Sequence, residues 1–492
     1  MITMFSRRKA LFVAAVAICS LADAKADVLP DSISYRVETQ AAFSSGENTP
    51  FWLVNNRQGL SSIKKDNGYA RASLFKHLNG DKRFSWGAGV DLAVAYGFTS
   101  TFVVQQLYGE IRYRSLGAVL GSKEQWSEIN NRRLSSGGLF YSGNARPIPQ
   151  LKVGIPEYSV IPWTNGWLSG KGYISYGMFT DDGWQKDFAR ADSKRTEDVL
   201  YHAKAGFLKI GDTRRFPLTF EAGLEMGAQF GGKSYKDGKV TKMPHGIKDI
   251  IKAFIPSSGS SDTPIGEQTN IYGNHVGSWD FRLRWAPNDA DWSVSAYYEH
   301  YFEDHSMMFM QYKWKDMLLG VEFHLPANRF VSAVVYEYLN TKHQSGPVYW
   351  DHTEEIPEQV SGRDDYYNHY IYTGWQHWGM GIGNPLIISP IYNRDGMIEF
   401  KHNRVKGHHL GFEGSPLSWL RYRVLLSYTR SWGTYGTPLP EIEKNANALF
   451  EVEARLPKSP SWSGKVAVGA DGGALLGRSF GVMLSICKSG WL

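Results

Sequence analysis

Cysteine is almost absent. Of the two in the chain, Cys19 lies in the N-terminal leader and only Cys487 remains beyond it, so no intrachain disulfide can staple the mature protein. Long apolar runs are missing too. Beyond the leader nothing approaches the ~18 consecutive apolar residues that a helical span requires, and mean hydropathy is −0.35. Charge of one sign is barely in excess. The leader's Arg7, Arg8 and Lys9 precede the apolar run Ala10 to Cys19, and small residues follow at Ala22, Ala24 and Ala26. This reads as a secretory signal cleaved after residue 24, or else after 26. Loss of Arg7, Arg8, Lys9 and Asp23 takes the net charge from +6 to +4. So mild a balance argues against a nucleic-acid partner, which calls for crowded basic residues.

What the chain does contain is aromatic residues (14%) and 51 glycines, arranged with a period of two. Phe84, Trp86, Ala88, Val90, Leu92, Val94 and Tyr96 alternate with Ser85, Gly87, Gly89, Asp91, Ala93 and Ala95. The same pattern runs through Leu218 to Phe230, Trp279 to Trp285 and Phe480 to Ile486. Successive Cβ atoms of a strand point to opposite faces, so these segments are strands with one apolar face. Several reach ~9–13 residues, longer than the ~5–6 usual in soluble sheets, and aromatics cluster at their ends. An exported chain of this kind fits an all-β transmembrane antiparallel barrel, because strands in lipid must close on themselves to pair their backbones. At about 25 residues per strand and connection, residues 25–492 supply ~18 strands in one domain.

Two stretches break the period: residues 130–187, which contain the proline-studded "SGNARPIPQLKVGIPEY", and 241–272, with a helix-like "GIKDIIKAFI". Proline lacks a backbone donor, so Pro147, Pro149 and Pro156 disfavour a regular ladder. The expectation is a stiff extended piece packed in or over the barrel, holding Arg146 and the tryptophan-rich segment that follows. Residues 340–390 mix loop and strand.

Motifs of catalysis are weak. "GRSFG" (477–481) matches a nucleophile pattern but opens an alternating strand rather than a strand-to-helix turn. "GMGIGN" lacks the context of a dinucleotide loop. His408 and His409 are neighbours and would face opposite sides of a strand, which argues against a shared metal site. No cofactor, no metal and no catalytic residue is expected. A non-catalytic constellation is sharper. "PWTNGWLSGKGY", "FTDDGWQKD" and "DDYYNHYIYTGWQHWG" concentrate flat rings beside amides and carboxylates, the chemistry that meets the C–H faces and hydroxyl edges of a sugar. The candidate carbohydrate ligands are Trp163, Asn165, Trp167, Asp182, Trp184, Gln185, Tyr367, Asn368, His369 and Trp375. Arg146 would hold an acidic sugar or pair with a lumen carboxylate such as Glu157.

These same stretches, with "YEYLNTKHQSGP" and the early "NTPFWLVNNRQG", resemble the Wzi-type capsule assembly outer-membrane proteins in their Bacteroidetes-like form. The resemblance runs over nearly the whole mature chain. It implies an outer-membrane barrel of about eighteen strands that acts as a lectin, holding capsular or other surface polysaccharide without catalysis. The helical plug of enterobacterial members has no counterpart in the early segment, where "ISYRVETQ" already alternates. Expected partners are surface polysaccharide, outer-membrane lipid and the barrel assembly machinery, for a monomer. The alternatives are a polysaccharide or solute channel, given the lumen charges Glu221, Glu225, Arg282 and Arg284, and an outer-membrane hydrolase.

Overall fold

The alternation in the sequence becomes one closed sheet. The computed structural model describes residues 32–259, 263–264, 271–288, 290–303, 314–326, 328–349 and 360–492; the leader lies outside them. Eighteen antiparallel strands form the barrel: β1 (Ile33–Gly46), β2 (Asp66–Lys76), β3 (Phe84–Tyr96), β4 (Phe102–Tyr113), β5 (Leu116–Ser122), β6 (Gln150–Val160), β7 (Leu168–Met178), β8 (Leu200–Ile210), β9 (Leu218–Phe230), β10 (Asn274–Trp285), β11 (Ser293–Glu303), β12 (Met317–His324), β13 (Ala333–Asn340), β14 (Val405–Leu417), β15 (Leu420–Gly433), β16 (Pro438–Leu456), β17 (Ser459–Gly473) and β18 (Ser479–Trp491). Each pairs with the next, and β18 returns to β1 with Trp491 opposite Ser34 and Ser479 opposite Gly46. Closure leaves no unpaired edge, which is the condition for strands in lipid.

The two faces separate by parity. Phe84, Trp86, Val90, Val94 and Tyr96 are exposed outward, while Ser85, Asp91, Ala93 and Ala95 are buried inward. Leu120 and Ile486 are 66% and 61% exposed, an apolar outer surface that water would penalise and lipid accepts. The two ends also differ. The end carrying Ile33 and Trp491 has short turns and is called the turn end below. The other, the loop end, carries the long connections 123–149, 179–199, 231–273 and 341–404.

Three connections fold back into the lumen and build a core there. The short helix α1 (Phe51–Val54), residues 129–148 and residues 366–400 bring Trp52, Leu134, Phe140, Tyr367, Trp375, Ile382 and Phe400 together, each at most 1% exposed. Gly227 on the wall leaves room for them: a Cβ there would lie 2.5 Å from the Trp375 ring. The plug holds itself by backbone and amide bonds. Asn144 Nδ2 donates to Gly381 O (3.0 Å), Trp375 Nε1 to Phe140 O (2.8 Å) and Asn56 Nδ2 to Ser136 O (2.8 Å). It is latched to the wall by inward acids. Glu299 accepts Leu139 N–H at 2.9 Å, Glu337 accepts Ser136 N–H at 2.7 Å, and Asp471 accepts Phe51 N–H at 2.8 Å. Buried backbone donors in such irregular segments need partners of this kind.

The expectation of one irregular stretch over 130–187 is corrected. It contains β6 and β7. Pro156 lies inside β6, where the pairing with β7 shifts register between Ile155 and Ser159, so the missing donor is absorbed by a bulge. Pro147 and Pro149 belong to the buried approach to that strand. Within 241–272 the helix α2 (Ile247–Phe254) rests on the outer wall: Tyr176 OH donates to Ile250 O at 3.1 Å and Phe254 meets the His202 ring. Ile247, Ile251 and Ile255 are exposed away from it, as suits a helix lying in a membrane interface.

Candidate functional site

The sequence-derived constellation divides between three places. Trp163, Asn165 and Trp167 occupy the 161–167 connection between β6 and β7, at the turn end; Trp163 is 96% exposed. Asp182, Trp184 and Gln185 lie in the 179–199 connection at the loop end. Tyr367, Asn368, His369 and Trp375 belong to the 364–404 segment. Eleven residues of β7 separate the first group from the second, about 35 Å of extended chain. The idea that the proline segment holds the following tryptophans in place is therefore corrected: its own packing is in the lumen, and those tryptophans sit at the far end.

Burial assigns further roles. The Tyr367 and Trp375 rings are fully covered; Tyr367 OH donates to Leu139 O, and Trp375 stacks on Phe140 at 5.6 Å. Asn368 clasps its own segment, donating to Phe400 O (2.9 Å) and accepting Phe400 N–H (2.8 Å). His369 Nδ1 accepts Ile371 N–H at 3.1 Å, and its carbonyl accepts from Lys194. Arg146 pairs with no lumen carboxylate among the described residues. Its guanidinium lies 4.1 Å over the Trp378 ring and donates to Thr99 Oγ1 at 2.9 Å, and burial pushes its pKa down to about 10. Glu157 instead meets Arg112 at 3.1 Å, at the turn end. The pairing of Arg146 with Glu157 is thus corrected.

Beneath Arg146 lies a titratable hinge of the plug. His377 Nδ1–H donates to Arg146 O (2.9 Å) and Nε2 accepts Thr180 N–H (3.2 Å), which fixes the neutral tautomer. Burial, with the Arg146 charge adding to it, holds the imidazole at about 4 against an ordinary 6.5. Above pH 6.5 the ring is neutral folded and unfolded alike. Between 6.5 and about 4 only the unfolded chain takes up the proton, so stability falls as pH falls through this window. Thermal unfolding followed at pH 7 and pH 4.5 is expected to show that loss, and His377→Gln, which keeps a donor and an acceptor, to reduce it. Equal pH slopes in the two proteins would refute the assignment.

One concavity at the loop end is absent from the sequence reading. The short helix α3 (Trp184–Phe188) begins at Gly183, whose φ of +76° turns the chain. Trp184 is buried and stacks on Phe188 at 4.9 Å, and Gln185 Oε1 accepts Thr196 N–H at 2.9 Å. These contacts fix 184–196 against a small sheet of Arg195–Glu197, Lys233–Lys236 and Lys239–Lys242. Between them is a cleft of about 220 Å³ lined by Lys186, Arg190, Arg195, Lys236 and Lys239, with Asp237 as its one carboxylate and Tyr235 as its ring. Arg195 lies 3.9 Å over that ring, and Tyr235 OH donates to Glu197 at 2.9 Å. Under the floor, burial pushes the Lys194 ammonium down to about 8. Arg195 is already ion-paired with Glu197, which leaves Lys186, Arg190, Lys236 and Lys239 as the lining cations that can receive an anionic ligand beside the Tyr235 ring. The signal in sequence is the run of basic residues at 186–195 and 233–242.

Features suggestive of catalysis lie elsewhere and are structural. Ser479 of "GRSFG" pairs in β18 with Gly46 and accepts Asn48 N–H at 3.1 Å. A Ser427–His409 contact of 2.7 Å exists, but His409 is 1% exposed and its other nitrogen meets Leu134 O. His408 and His409 do face opposite sides of β14, exposed and buried respectively. Among the described residues no group of three or more His, Cys, Asp or Glu could hold a metal ion.

No family model and no curated protein sequence matches the chain. Its fold does match solved outer-membrane barrels. Wzi of Escherichia coli, described as an outer-membrane protein involved in group 1 capsule assembly and a carbohydrate-binding β-barrel, aligns over 92% of this chain and 83% of its own, at 12% identity and a TM-score of 0.56. OccK3 (OpdO) of Pseudomonas aeruginosa aligns over 94% and 96%, at 10% identity and 0.47. OprD of the same organism aligns over 96% and 98%, at 9% identity and 0.43. With its closed sheet and apolar outer belt, the chain is an outer-membrane β-barrel.

Proposed function

We propose that this barrel is a non-enzymatic receptor that holds a surface polysaccharide, of the acidic kind, at the loop end. The observation that carries the reading is the basic cleft between α3 and the small sheet. Outer-membrane barrels carry short turns on the periplasmic side and long connections outside, which puts the cleft on the cell exterior. Cations there would pair with carboxylates of the glycan, and Tyr235 would offer a ring face. The carbohydrate-binding description of Wzi supports the reading through the shared fold. Of the constellation read from the sequence, Trp184 and Gln185 contribute to the frame of the cleft, through Phe188 and Thr196. A solute channel is the competing role, and the core that fills the lumen weighs against it.

The test is binding of an acidic polysaccharide to the purified barrel. Arg190→Gln, Lys236→Gln and Lys239→Gln together are expected to weaken binding about tenfold, as exposed charge pairs of up to ~1 kcal/mol each would, and added salt to weaken the unmodified protein. Binding indifferent to the triple substitution and to salt would sink the proposal. So would cells that retain normal surface polysaccharide without the protein.

A further inference from the structure

We propose that Lys406, Arg430 and Lys444, on the lipid-facing wall, clamp the phosphate groups of a glycolipid in the outer leaflet. The three are direct partners in the sheet: Lys406 stands opposite Arg430, and Arg430 opposite Lys444. Neighbouring strands are ~4.8 Å apart, so three like charges lie within about 10 Å. Such a row is self-repelling unless an anion joins it. Among the described residues none of the three makes an ion pair. The flanking position on β13 is the neutral Asn340.

The row's depth selects the anion. Along β15 the outward residues run Arg430, Tyr428, Leu426, Val424; along β14 they run Lys406, His408, Leu410, Phe412. Cation, polar ring and aliphatic follow one another from the loop end inward, the order of headgroup, interface and acyl chain. Lysine or arginine costs little on a barrel wall at the interface but is strongly unfavourable at the midplane. Trp432 adds to the interfacial layer, with Lys342 4.6 Å and Arg430 5.4 Å from its ring. Tyr338, His408 and Tyr428 join the three cations around a cleft of about 470 Å³, roomy enough for a phosphorylated sugar headgroup. At the adjoining connection, burial together with Lys315, Lys406, Lys342 and Arg404 holds the His343 imidazole below its usual range, a second mark of a positive field. A soluble acidic glycan could meet the same charges, but only a lipid also covers Leu410, Leu426 and Val424 just below them. The site is on the outer wall and is independent of the basic cleft at the barrel mouth.

The full chain, purified from outer membranes in mild detergent, should carry phosphorylated glycolipid countable by native mass spectrometry. Lys406→Gln, Arg430→Gln and Lys444→Gln together are expected to reduce retention roughly a hundredfold, at ~1 kcal/mol per basic residue. Lys406→Arg with Lys444→Arg should keep it. Lipid stripped of its phosphates should not be retained by the unmodified chain, and millimolar inorganic phosphate should fail to displace the intact lipid. Undiminished retention by the folded triple variant overturns the proposal. So does equal retention of dephosphorylated lipid, a comparison that needs no variant to fold. Displacement by free phosphate overturns the lipid as the ligand.

Discussion

Replacement of Glu337 by alanine is expected to loosen the plug and destabilise the barrel by ~3–5 kcal/mol. Glu337 is fully buried on β13 and receives three donors: the Ser135 hydroxyl, Ser136 N–H at 2.7 Å and the Tyr297 hydroxyl at 2.5 Å. Two belong to the plug and one to the wall, so a single side chain ties them together. Alanine would leave all three unpaired in a site closed to water, and each such group costs ~1–3 kcal/mol. Glu337→Gln, which keeps one acceptor oxygen, should fall between. Two measurements check this. Thermal unfolding should shift in the order Ala, Gln, wild type. In planar bilayers the alanine variant should conduct more than the unmodified barrel, because residues 129–148 lose their latch. An alanine variant with wild-type unfolding and wild-type conductance would show that the plug is held elsewhere.

Trp375→Ala is the second large effect, also ~3–5 kcal/mol. The indole is fully covered, stacked on Phe140 and 6.0 Å from Tyr201 of β8, and its Nε1 donates to Phe140 O. Truncation would leave a cavity in the plug and an unpaired carbonyl. The substitution also separates two readings of this tryptophan. If it packs the plug, stability falls and binding of the acidic polysaccharide to the folded fraction is kept, with Trp375→Phe recovering part of the loss. Lost polysaccharide binding at unchanged stability would instead make it a sugar platform.

The barrel was legible from the sequence because the strand period is local. Phe84, Trp86, Val90 and Tyr96 must share a face whatever lies beside them, and the strand lengths then require closure in lipid. The contents of the lumen were not legible. A buried plug must satisfy its own irregular backbone, so it uses asparagine, glutamine, tyrosine and tryptophan, the residues that also bind sugars. Asn144, Tyr367 and Trp375 have the composition of a binding loop and the burial of a core. Only burial distinguishes these uses, and burial depends on contacts between residues such as Phe140 and Trp375 that are remote in the chain.

By itself, then, the sequence determined the architecture: an exported all-β chain without disulfides, with alternating strands long enough to cross a membrane. The tertiary structure decided where its chemistry stands. Trp167 and Trp184 are near neighbours in sequence, yet β7 carries the chain from one end of the barrel to the other between them. The cations of the mouth cleft come from two connections that a three-stranded sheet brings together. Lys406, Arg430 and Lys444 come from three strands and form one row only because the register places them side by side. A strand fixes which face its residues occupy through local geometry; which residues of other strands stand beside them is set by pairing across the sheet.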